Sequence, residues 1–111
     1  MRPIRLSTLG VSKTVPIPLD LYLVPFNVSL RAVITGAPTY TVEYTEDDVY
    51  AVGYDPDAGS SKWKALDGMT DAVADAYTTL TSPVTAVRMR QTVGAAPNGV
   101  ELTVLQAGVM G

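Results

Sequence analysis

The sequence predicts an all-β chain. It reads as a single antiparallel β-sandwich, jelly-roll-like, of about seven or eight strands with an extended proline-containing N-terminal arm. Three observations carry this reading. Residues 39–48, TYTVEYTEDD, alternate strictly, with Tyr40, Val42 and Tyr44 on one face and Thr39, Thr41, Glu43 and Thr45 on the other. A strand sends successive side chains to opposite faces, so this is a half-buried strand with a wet outer face. Two further stretches, 26–34 and 100–106, alternate in the same way, and turn-forming clusters separate the runs.

In chain order, residues 4–9 make a short strand with Ile4 and Leu6 on one face, ended by Gly10. Residues 13–19, KTVPIPL, carry Pro16 and Pro18. Proline fixes φ and lacks the ladder donor, so this stretch is an extended edge or arm. Its Val15, Ile17 and Leu19 are apolar and must lie on something: the chain's own sandwich, or a neighbouring subunit. A short strand over 21–24 ends at Pro25. Residues 26–34 then place Phe26, Val28, Leu30, Ala32 and Ile34 inward, and TGAP at 35–38 is a turn. The runs on either side are expected to pair as an antiparallel hairpin.

Residues 49–54 read as a continued or restarted strand, and 55–61, DPDAGSS, as an exposed loop. Trp63, the only tryptophan, reads as a core or rim anchor. Asp71 is able to cap a short helix, but threonines crowd residues 67–80 and favour strand–turn–strand. In 83–93, Thr85, Val87, Met89 and Gln91 share a face opposite Arg88 and Arg90. The Asn98-Gly99 pair signals a turn, and a last strand follows. The expected division is an arm with a first edge strand over 1–20, a sandwich over 21–108 and a short tail over 109–111.

Composition limits the chemistry. The chain has 111 residues, no Cys, no His, 17% charged residues and a net charge of −3. Without cysteine there is no disulfide framework and no thiolate. Without histidine, a Ser-His-Asp triad is impossible and the commonest metal ligand is missing. An acidic balance argues against nucleic acid. The N-terminus lacks an apolar signal-peptide core and no run is long enough to span a bilayer, so synthesis in a cytoplasm and no membrane partner are expected.

Few residues qualify as a site. Glu43, Glu46, Asp47 and Asp48 are the densest carboxylates, but neighbours at a strand end suit a turn better than paired catalysis or calcium binding. Asp55-Pro56-Asp57 lacks the acids an EF-hand loop needs. No catalytic residue, cofactor or metal ligand is assigned. The candidates for partner contact are Thr14, Val15, Pro16, Ile17, Pro18 and Leu19 of the arm, with Arg88 and Arg90. The two arginines are expected either to pair with a Glu on a neighbouring strand or to dock on an acidic partner.

Four segments together carry a resemblance: PIPLDLYLVPFNVSL at 16–30, TYTVEYTEDD at 39–48, SPVTAVRM at 82–89 and VELTVLQAG at 100–108. As an ordered set covering about half the chain, they resemble a group of small tailed-phage virion proteins; residues 55–80 depart from that pattern. The resemblance implies a non-enzymatic structural protein of the head decoration or cement type, sitting on the capsid surface. Its implied partners are the major capsid protein and further copies of itself, since such proteins commonly act as trimers or clamp neighbours with a reaching arm. It also implies synthesis in a bacterial host. A tail, neck or baseplate component is the alternative within virions, and a carbohydrate-binding β-sandwich the alternative outside them.

Overall fold

A computed structural model describes residues 4–19, 23–59, 61–81 and 83–110, with 23–26 and 107–110 as backbone only. Nine strands are present among them: β1 (Ile4–Leu9), β2 (Ser12–Lys13), β3 (Ile17–Pro18), β4 (Leu23–Thr35), β5 (Thr39–Thr45), β6 (Trp63–Ala65), β7 (Ala76–Leu80), β8 (Ala86–Val93) and β9 (Gly99–Met110). They form two antiparallel sheets packed face to face. The first has the order β1-β9-β4-β7, the second β2-β8-β5-β6, with β3 also on β8.

The connectivity follows a simple rule. Counting β2 and β3 as one interrupted strand leaves eight, and the first pairs with the last, the second with the seventh, the third with the sixth, and the fourth with the fifth. This is a long antiparallel hairpin wound over itself, with β9 against β4 and β8 against β5 closing the two sheets.

The alternating patterns decide which residues fill the space between the sheets. Val28, Leu30 and Ala32 of β4, Val100, Leu102 and Val104 of β9, and Tyr40, Val42, Val87 and Met89 of the second sheet are all fully or almost fully buried. Ile4, Leu6, Ile34 and Tyr44 pack at the rim. At this core, burial of apolar area contributes about 25 cal/mol per Å² removed from water.

Several expectations change. Residues 28–32 alternate in burial as foreseen, whereas 39–45 is covered on both faces, and β4 and β5 lie in different sheets and do not form a hairpin. The connection crosses between sheets at Gly36, whose φ is +81°, and a Cβ there would collide with Asn98 Oδ1. That oxygen is fixed by accepting a hydrogen bond from the Ala37 N–H at 2.9 Å. Residues 49–54 are turns, not strand. No helix forms over 67–80: 66–75 is irregular and β7 follows. Asp71 takes φ +48° and caps nothing. Val109 and Met110 are not a tail, since they pair with Val24 and Leu23 at the end of β9. The expected strand over 21–24 is the start of β4, with a register shift between Val24 and Asn27; positions 21 and 22 lie outside the described residues.

The N-terminal stretch is part of the body. β1 pairs with β9 over six positions, from Ile4↔Val104 to Leu9↔Gly99. After Gly10 the chain crosses to the edge of the second sheet, where β2 and β3 pair with β8. Ile17 and Leu19 enter the core at 3% and 5% exposure.

Candidate functional site

The outer face of the second sheet holds the densest set of charges in the described chain. The register sets Glu43 directly opposite Arg88 and Thr41 opposite Arg90. Tyr40, Val42, Val87 and Met89 occupy the core face, so alternation sends all four of these residues outward. Arg88 Nε donates to Glu43 Oε1 at 2.9 Å, and Arg90 Nε lies 3.3 Å from the same oxygen. Of the two expected roles for the arginines, pairing with a Glu on the neighbouring strand is what the geometry displays.

That face is not wet. Thr41, Glu43, Thr45 and Arg88 are all under 9% exposed. Two segments cover it: the Asp71 N–H donates to Thr41 Oγ1 at 3.0 Å, and the loop after β5 folds back over Thr45 and Arg88. Arg88 Nη1 donates to Pro56 O at 3.3 Å and to Asp57 Oδ1 at 3.2 Å. Trp63 Nε1 donates to the same Pro56 carbonyl at 3.1 Å, and the Arg88 guanidinium sits 4.3 Å from the Trp63 ring centroid. Lys13 Nζ closes the group from the arm side, 2.6 Å from Asp57 Oδ1. The planar guanidinium thus spends its fork on one carboxylate within the sheet, one carbonyl and one carboxylate from the loop, and the face of an indole. An ammonium would not match that set.

Both loop carboxylates that hold this region are stabilised as anions. The Lys13 ammonium, donating to Asp57 and helped by Arg88, keeps that carboxyl below its ordinary range. Asp47 is lowered chiefly by the backbone N–H of Lys62, at 2.8 Å, with the Tyr54 hydroxyl assisting. The acidic end of the opening strand motif is therefore a turn whose carboxylate pins the loop's return.

The structure divides the expected arm contacts. Thr14, Val15 and Pro16 come together with Lys13, Pro56, Asp57 and Arg88 around a depression of about 170 Å³. Within it, Thr14 is buried and its Oγ1 accepts from the Met89 N–H at 3.0 Å. Ile17 and Leu19 turn into the chain's own core and offer nothing to a partner. Val15, 69% exposed, and Pro18 face outward. Arg90 is half-exposed beside Glu43. Of the eight candidates, Val15, Pro18 and Arg90 present the most accessible surface. Pro56 and Asp57, which complete the cluster, were missed because a turn-rich loop carries no signal for where it folds back.

A second polar knot holds the far end of the sandwich. Gln91 is 1% exposed. Its Oε1 accepts from Thr8 Oγ1 at 2.9 Å, and its Nε2 reaches the carbonyls of Val93, Gly94 and Asn98 at 3.3, 2.8 and 3.1 Å. One amide thereby ties β1, β8 and the turn before β9 together.

Among the described residues, no three acidic side chains converge as a metal site. Among the described residues the aromatics form no exposed row: Tyr40 is buried, Trp63 lies against Arg88, and the exposed Tyr50 and Tyr77 stand apart, the first in the β5–β6 loop and the second on the edge of the other sheet. Compared with protein-family models, curated proteins and solved structures, the chain matches none of them.

Proposed function

We propose that this chain is a non-enzymatic virion structural protein. In this reading it is a capsid decoration protein that binds the outer shell through the major capsid protein and stabilises contacts between shell subunits. It is made in the host cytoplasm and works as a homo-oligomer without a cofactor. The observation that carries the reading is the wound-hairpin connectivity, which we read as that of a jelly roll. That architecture recurs in viral capsid and lectin domains. A shared fold is an analogy and assigns no function alone, so the segment resemblance matters beside it. The segments at 39–48, 82–89 and 100–108 coincide with β5, β8 and β9, and 16–30 covers β3 and much of β4. β4 and β9 are the inner strands of the first sheet and β5 and β8 those of the second, while β3 lies at the edge on β8. The departing region, 55–80, supplies edge strands and loops, where partner contacts vary most readily.

The use of charge fits the same role. The buried arginine and its carboxylates close a loop onto the sheet. A cement protein needs surface area and complementarity, and many weak copies on a lattice gain from avidity. A carbohydrate-binding module would need an exposed aromatic row, which the described residues do not present.

The test is cosedimentation of the purified chain with phage shells that lack it. Saturable binding at a fixed number of copies per shell is expected. Binding to tails or baseplates in place of shells would move the chain to the alternative location.

A further inference from the structure

Each sheet of this sandwich ends in an edge strand, and the four edges are not equally guarded. An open edge presents unpaired N–H and C=O groups, and soluble proteins blunt such edges with charge, proline, bulges, short strands or a covering segment. β1 carries the charged Arg5. The β2–β3 edge is broken and carries Lys13, Pro16 and Pro18. β6 is three residues long, with Lys64 in its middle. β7 has none of these devices. Its sequence, AYTTL, contains no charge and no proline, it pairs in regular register with β4 over five positions, and among the described residues it has no second partner strand.

We infer that β7 pairs with β7 of a second copy of this chain. An antiparallel contact about a twofold axis would join two four-stranded sheets into one of eight. Such an isologous contact places the same patch on both sides, so the patch must tolerate itself. β7 does. Centred on Thr78, the pairing sets Tyr77 opposite Thr79 of the second copy and Ala76 opposite Leu80, with no like charges face to face. The nearest acid, Asp75, is already engaged, its Oδ1 accepting from the Ile34 N–H at 2.8 Å. Tyr77, 72% exposed on the outer face, would gain a neighbour. The mouth of the sandwich between β6 and β7, a depression of about 460 Å³ that includes Tyr44, Leu66, Leu80 and Val84, would be flanked by the added strand.

The size of the contact sets its strength. Five residues of strand make a strip roughly 17 Å long and one strand wide, which buries far less than the ~800 Å² per partner of a standard stable interface. The free chain is therefore expected to be a weak dimer, half-associated on the order of 100 µM. This pairing belongs to the free chain and is measured without any particle, so it fails or succeeds independently of the virion role.

The test uses sedimentation of the full chain from low micromolar to about 1 mM, with two double variants. Tyr77→Lys with Thr79→Lys sets two lysine pairs across the axis; Tyr77→Glu with Thr79→Glu does the same with carboxylates. Each variant alone is expected to dissociate at least tenfold more readily than the parent, and an equimolar mixture to recover heterodimer. Hydrogen exchange on the unmodified chain, which needs no variant to fold, is expected to show β7 amides gaining protection with concentration. A parent chain that stays monomeric throughout, variants that associate as well as the parent, or a mixture no better than its components would overturn the pairing.

Discussion

Arg88 is the residue on which the outer face of the second sheet depends. It points to the outer face of the sheet, where Pro56, Asp57 and Trp63 cover its guanidinium, and its partners come from three separate parts of the chain. Removing it leaves Glu43 buried with only Arg90 to compensate it, and leaves Pro56 O with Trp63 alone and Asp57 with Lys13 alone. Breaking a buried ion pair from one side costs more than the pair is worth, because the remaining charge stays desolvated. Arg88→Ala is expected to lower stability by about 3 kcal/mol, measured by urea unfolding; a loss below about 0.5 kcal/mol, the range of an ordinary surface change, would show that the cluster is ornamental. Arg88→Lys should recover only part, since one ammonium cannot serve both carboxylates, the carbonyl and the indole. Acid acts on the same cluster. The Asp57 and Asp47 carboxyls bind protons less readily folded than unfolded. Their contribution is therefore present above the ordinary carboxylate value near about 4 and is lost as pH falls through the lowered folded values. The loop over 47–62 should loosen first on acidification, seen as loss of its amide protection before that of β4 and β9; simultaneous loss would contradict this. The sequence exposed part of this. Glu43 and the two arginines could be placed on outer faces by alternation alone, but the burial of Glu43 and Arg88 could not, because it depends on where a distant loop folds back.

At the scale of the element, alternation identified which side of a strand faces the core and said nothing about its neighbour. Residues 28–34 and 39–45 both show the period-two pattern on either side of a short turn, which is also the signature of a hairpin. The deciding interaction is a non-local one: the turn at Gly36 is held by Asn98, which belongs to the approach to β9. The arm shows the same limit. Val15, Ile17 and Leu19 alternate, so one face was legible. The irregular stretch 14–16 lets Thr14 bond to β8 while Val15 turns out and Ile17 turns in. Pro16 and Pro18 keep this segment at an edge, as their missing donors require. The arm is thus a structural edge, and its removal should be felt in folding. Deleting residues 1–19 strips β1 from β9 and takes Ile17 and Leu19 from the core. Each large apolar side chain lost from a core costs about 2–5 kcal/mol, against a total stability of about 5–15 kcal/mol for a domain. The truncated chain is expected to lack a cooperative thermal transition; a transition within a few degrees of the intact chain would contradict this account of the arm. Residues 67–80 were the least legible stretch, since threonine-rich sequence suits strand and turn alike. Bonds to β5 settle them: Leu66 N to Val42 O, Val42 N to Met69 O, and the Tyr40–Ala72 bridge.

For the whole molecule, the fold class followed from composition and period, and the winding of the hairpin did not. Strand order is a property of long-range pairing, visible here in β1 with β9 and in β3 with β8 at opposite ends of the chain. The winding places β4, β9, β5 and β8 inside the sheets and leaves 55–80 to supply the edge strands β6 and β7 and the loops around them. The ion pairs gather on the outer face of the second sheet, where Arg88, Glu43, Arg90, Asp57 and Lys13 hold the loop and the arm to it, and Val15 and Pro18 face outward nearby. The most direct test is the position of this chain in purified particles, read by electron microscopy of a labelled chain. The account predicts label on the outside of the head, in repeated copies at equivalent positions of the shell. Particles that carry no label, or carry it only on the tail or baseplate, would contradict it.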